Sequence, residues 1–166
     1  MVAINQLEVV KDVANKQLRL KRSFNAPREA VWRAWTEPAL LEQWWAPKPW
    51  KAVSKSMDFR EGGSWLYCMT GPEGEAHWAV QNYISIKPID TYTLVDAFCD
   101  EEGNINPDFP SSHITNVFES TDGGTRVSMT VNFEKESDIT TMIEMGFEAG
   151  FTMALKNLDE LLERGI

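Results

Sequence analysis

Apolar and polar positions alternate along most of the chain, and the spacing turns helical at two places. Residues 6–12 (QLEVVKD) and 17–24 (QLRLKRSF) read as two short strands around a polar turn near Asn15, with Leu18, Leu20 and Phe24 on one side of the second. Asn25 and Pro27 give a helix start, and Val31, Trp32 and Trp35 follow at helical spacing. Pro38 breaks that helix and opens a short second one carrying Leu40, Leu41, Trp44 and Trp45, which ends in the APKP run of 46–49. From residue 51 the period becomes two: Val53, Met57 and Phe59 alternate with Ser54, Ser56 and Asp58. Gly62-Gly63 supplies a turn or bulge, WLYCMT a strand apolar on both faces, GPEG a hairpin turn, and HWAVQNYISI the returning strand. TYTLVDAFC and HITNVFES continue the set. After the turn signal Asp122-Gly123-Gly124, residues 125–133 alternate most cleanly. The last stretch, from about Ser137 to Glu163, carries Ile143, Phe147, Phe151, Ala154, Leu155, Leu158, Leu161 and Leu162 at steps of three and four, which predicts one long amphipathic helix capped at Ser137 or Asp138 and stopped at Gly165. The order is that of an α+β domain: an antiparallel sheet with a long C-terminal helix laid across one face and two short helices after the first strands.

The length, 166 residues, suits a single domain over 1–166. Sixteen Lys and Arg against 25 Asp and Glu leave a formal charge of −9, which repels phosphate backbones and anionic lipid, so neither nucleic acid nor a membrane is an expected partner. No apolar run reaches spanning length and no secretory leader is evident, which points to the cytoplasm. Cys68 and Cys99 lack CxxC spacing and read as reduced, buried thiols.

Four segments in order, APREAVWRAWTEPALLEQWWAP, DFREGGSWLY, GPEG and MGFEAGFTMALKNLDELL, resemble the Hsp90-ATPase-activator-homologue (AHSA1-like) family of the START/Bet v 1-like helix-grip superfamily. The family's landmarks fall on Pro27, Val31-Trp32, Trp44-Trp45, and Asp58, Arg60, Gly62 and Gly63; Phe151 stands where its final helix usually has Trp. The resemblance implies a curved antiparallel sheet gripping the C-terminal helix around a cavity that often receives a hydrophobic small molecule. The family name also implies contact with an Hsp90-type chaperone, and a second copy of the chain is a further candidate partner.

On that reading the cavity candidates are Trp44, Trp65, Tyr67, Trp78 and Asp96 from the first helices and the sheet, and Met129, Met142, Gly146, Phe147, Gly150 and Phe151 from the last strand and the helix. Large aromatics dominate both cores and ligand walls, and methionines suit a cavity of adaptable shape. Gly146 and Gly150, one turn apart, mark either a close approach of helix to sheet or volume left for a ligand. By alternation Arg22, Asp96 and Asn116 lie on apolar strand faces, where Arg22 and Asp96 are candidates to pair and to orient a ligand's polar end. Catalytic signatures are missing: GxSxG, HExxH and nearby Cys-His spacings do not occur. An enzyme of the cyclase or hydrolase kind would have to use Asp96 or His77, so the sequence favours a binder. No cofactor is expected. The alternating oxygens of Asp100, Glu102, Asn104, Asn106 and Asp108 miss the calcium-loop pattern, with Ile105 where glycine is needed, and read as a solvated loop.

Overall fold

The computed structural model describes residues 6–166. Strand β1 (Glu8–Asp12) turns through a single 3₁₀ turn into β2 (Gln17–Phe24), and helices α1 (Arg28–Thr36) and α2 (Pro38–Leu41) follow. Six strands come next: β3 (Lys51–Met57), β4 (Ser64–Thr70), β5 (Ala76–Lys87), β6 (Thr91–Phe98), β7 (Ser112–Thr121) and β8 (Gly124–Asn132). Helices α3 (Glu136–Glu144) and α4 (Phe147–Arg164) close the chain. All eight strands form one antiparallel sheet in the order β1-β2-β8-β7-β6-β5-β4-β3. Its curved inner face grips α4, which is the helix-grip arrangement expected from the sequence.

The alternation assigns the faces. Leu18, Leu20 and Phe24 of β2, Val127 and Val131 of β8, and Ile114 and Phe118 of β7 are buried on the inner face, where α4 adds Ala154, Leu155, Leu158 and Leu161. The outer face has a smaller patch of Leu66, Val80 and Ala97 flanked by Trp78 and Cys99. Cys68 is buried and Cys99 half-buried, and both are free thiols. No helix among the described residues is long and apolar enough to cross a membrane.

Two features depart from the pattern reading. The second short helix ends at Leu41, and Trp44 and Trp45 sit in the turns beyond it, their N–H groups still bonded back to the Leu41 carbonyl at 3.2 and 2.9 Å. The predicted long closing helix is two helices. Gly146 adopts a left-handed conformation (φ 79°), which ends α3 and restarts the chain as α4. An amphipathic pattern does not register this, because Ile143 and Phe147 keep their spacing across the break while only the glycine can take the backbone angle. The start lies at Glu136, where the Asp138 carboxylate accepts from the Lys135 N–H at 3.1 Å, and Gly165 ends α4 as expected.

The β7–β8 hairpin makes a further prediction. Gly124 has φ 156°, and a Cβ there would lie 2.0 Å from the Phe24 carbonyl oxygen on the neighbouring strand. Gly124→Ala is therefore expected to cost about 2 kcal/mol, from left-handed strain plus displaced backbone. Urea denaturation checks it; a midpoint shift equal to that of Gly123→Ala, where a Cβ meets nothing, would refute it.

Candidate ligand-binding cavity

Between the inner sheet face and the helices lies an inner cavity of about 120 Å³. Its floor is the sheet: Leu18 and Leu20 of β2, Met129 and Val131 of β8, Ile114 and Asn116 of β7, Tyr92 and Leu94 of β6. Its roof is Trp35 and Leu41 from the first helices, Trp45 from the turn after α2, Met142 of α3, and Phe147 and Phe151 of α4. A second hollow of about 320 Å³ shares Trp45, Asp96, Ser112, Met142, Phe147 and Phe151 with the first and leads outward past Tyr67, Gly146 and Gly150. The two read as a chamber and its mouth. An apolar cavity of about 150 Å³ is enough to hold a benzene ring.

Strand register sets a polar row across this surface. Gln81 on β5, Asp96 on β6 and Ser112 on β7 are direct partners, each on its strand's inner face. Asp96 Oδ1 is shut off from solvent and has no hydrogen-bond partner, as is Asn116 Oδ1 further along the floor. Burial pushes the Asp96 carboxyl up to about 7. The same removal from water raises Tyr67, Tyr83 and Tyr92, so the phenols around the chamber stay protonated.

Of the residues expected in the cavity, Tyr67, Asp96, Met129, Met142, Gly146, Phe147, Gly150 and Phe151 meet around the chamber or its mouth. Trp44, Trp65 and Trp78 do not. Trp44 is fully buried with its indole N–H on the Ala34 carbonyl at 2.9 Å, and Trp65 is fully buried with its own on Ser54 Oγ at 2.9 Å, so both fill the core. Trp78 points to the outer face, one position off the inner alternation, where Lys55 lies over its ring. Trp45 takes the wall position instead, its N–H bonded to the Tyr67 hydroxyl at 3.0 Å.

Other expectations also resolve. Arg22 pairs with Asp159 of α4 at 2.6 and 3.0 Å and not with Asp96, because three strand spacings, about 14 Å, separate β2 from β6. The glycines do not mark a close approach. A Cβ at Gly146 meets nothing within 4 Å, and one at Gly150 meets only the Pro47 ring at 3.9 Å, so the space there is open. His77 is exposed at the rim and stacks on Trp50. In the loop after β6 the Asp100 carboxylate accepts from Glu102 N–H, Asn104 N–H and the Asn104 side chain, which spends its oxygens on the turn and holds its pKa below the ordinary value, the Asn104 side-chain bond contributing most.

Sequence reading missed Gln81, Ser112 and Trp35 as cavity residues. Gln81 had a signal: it shares its strand face with Ala79 and Tyr83, as Asp96 does with Leu94.

The family model for activator of Hsp90 ATPase homolog 1-like proteins matches residues 25–163. The chain belongs to that family. Solved structures agree over nearly the whole length. A solution structure of an Arthrobacter aurescens protein is 32% identical, covers 95% of this chain and 91% of its own, and superposes with a TM-score of 0.88. A crystal structure of a Mycobacterium smegmatis protein is 30% identical, with 93% and 95% covered and a TM-score of 0.86. A Nitrosomonas europaea protein is 28% identical, with 91% and 96% covered and a TM-score of 0.80. No curated protein matches the chain. Membership in this activator-homologue family accounts for the scaffold, while the chemistry of the chamber belongs to the side chains that line it.

Proposed function

We propose that the protein binds a small hydrophobic or amphipathic molecule in the chamber between its sheet and α4. The observation that carries this reading is the chamber itself: aromatic and aliphatic walls, an open mouth, and a short row of polar groups on the floor, the usual make-up of a small-molecule site. A chamber needed only for packing would be filled. Here the neighbouring tryptophans Trp44 and Trp65 are packed tightly, whereas Trp45, Phe147 and Phe151 face open space.

The test is native mass spectrometry of gently purified protein after incubation with extract from its source, paired with thermal shift. A ligand at about 1,000 times its Kd should stabilise the fold by about 4.1 kcal/mol. Gly150→Phe is the matching variant, because a side chain at that position enters the mouth beside Pro47 without meeting backbone. The expected outcome is a reproducible small-molecule adduct in the parent protein and loss of that adduct in a folded Gly150→Phe. A clean unliganded mass without thermal shift, or a folded Gly150→Phe that binds as before, overturns the reading and directs the search to protein partners, an Hsp90-type chaperone first.

A further inference from the structure

The polar floor of the chamber selects the polar end of its occupant. Asp96 accepts no hydrogen bond from any described residue, although it sits between Gln81 and Ser112 on the neighbouring strands. Among the described residues, no Lys or Arg lines the chamber or the mouth. Asp96 is half-buried, with Oδ1 shut off from solvent and unpartnered, and a carboxylate so placed with no cation beside it is costly unless something supplies the missing charge and donor. The neutral Trp35 N–H is also buried and unpartnered, but a single indole donor does not balance a carboxylate. Trp45, Phe147 and Phe151 line both hollows together with Asp96, and aromatic faces attract cations.

Resting on the binding reading above, we propose that the occupant is an apolar amine: its ammonium seats on Asp96, and its hydrocarbon or aryl end fills the inner chamber. A charge-assisted bond from N⁺–H to the carboxylate meets the unmet Oδ1 acceptor and neutralises the half-buried charge together. A fatty acid or aryl carboxylate would instead bring a like charge to Asp96 and is selected against.

Isothermal titration calorimetry at pH 8 with four matched probes tests this: 4-phenylbutylamine, 4-phenylbutanol, 4-phenylbutanoate and butylbenzene. The amine is expected to bind at least tenfold more tightly than each of the others. Asp96→Asn is expected to remove that advantage, so that amine and alcohol bind alike. Butylbenzene binding with no preference for the amine, an alcohol that equals the amine, or a preference that survives in Asp96→Asn overturns the proposal and leaves the cavity reading standing. Binding of none of the four overturns both.

A pH series on the parent protein gives a readout that does not depend on a variant folding. Gln81 and Ser112 face Asp96 from the adjacent strands, Met142, Phe147 and Phe151 from α3 and α4, and Trp45 from the turn after α2; none of these titrates. Tyr67 and Tyr83 are held protonated by burial, and the Cys99 thiol is raised chiefly by burial. His77 also lines the mouth. From pH 8 to 5.5, amine affinity should fall on the order of tenfold as Asp96 takes up its proton, with butylbenzene unaffected. His77→Gln should keep that fall. A flat amine profile, or one abolished by His77→Gln, refutes the role of Asp96.

Discussion

Asp96→Asn is expected to stabilise the unliganded protein at pH 8 and to leave its stability nearly unchanged at pH 4. In the folded protein burial raises the Asp96 carboxyl to about 7, while in the unfolded chain it returns to the ordinary 3.8. Between those values the folded state holds a proton that the unfolded state has released, so stability declines as pH rises through that window. The decline from this one group is at most about 4 kcal/mol, reduced by whatever water enters the chamber. Asparagine has the same shape and no charge to desolvate, so the variant should gain at pH 8 what the parent loses. For a domain of this size that bound corresponds to a rise in melting temperature of up to about 10 °C at pH 8. Melting both proteins from pH 4 to 8.5 checks it, since contributions from the other carboxylates cancel in the difference. Parallel curves would show that Asp96 ionises without penalty.

Asp159→Ala should have the opposite sign and nearly the same size. Arg22 is buried on the inner face of β2, and its guanidinium donates to both Asp159 oxygens and to the Ser23 carbonyl at 2.8 Å, with the Phe24 ring beneath it. The side chain of Asp159 keeps 28% of its surface exposed, so the pair stands at the edge of the core and not at its centre. Removing the carboxylate leaves the guanidinium buried with only a backbone carbonyl as partner, at a cost of about 3 kcal/mol. Replacing both partners by Arg22→Met with Asp159→Leu should restore most of the loss, because the penalty comes from an uncompensated charge. Urea denaturation of the single and double variants decides this, and a double variant no more stable than Asp159→Ala would contradict it.

The sheet was readable from the alternation because each strand has a distinct inner face; Leu18, Leu20 and Phe24 on β2 and the row from Thr125 to Val131 on β8 fall where the pattern puts them. Strand order was not readable. Alternation places Arg22 and Asp96 on inner faces but is silent on how many strands lie between them, and so it suggested a pair that the sheet keeps apart. The cavity was legible in its odd residues. Asp96 stood out as a charge among apolar neighbours, and Phe147 and Phe151 lay on the buried side of a helix. Which tryptophan faces the chamber was not legible, because Trp44 and Trp45 are adjacent in a turn whose backbone, rather than any period, directs one ring into the core and the other toward the ligand space.

The pairing of β2 with β8 also governs when the chamber comes into being. Gln17 and Asn132 meet across a separation of 115 residues, and the chamber floor joins Leu18 and Leu20 from one side of that seam to Met129 and Val131 from the other. Closing a loop of that length costs on the order of 4 kcal/mol of chain entropy before the seam returns anything, and contacts so distant in sequence slow folding. During synthesis Leu18 and Leu20 must therefore wait for nearly the whole chain to emerge before their wall is complete. Any ligand of this chamber stabilises the finished fold and has no purchase on the partly made one.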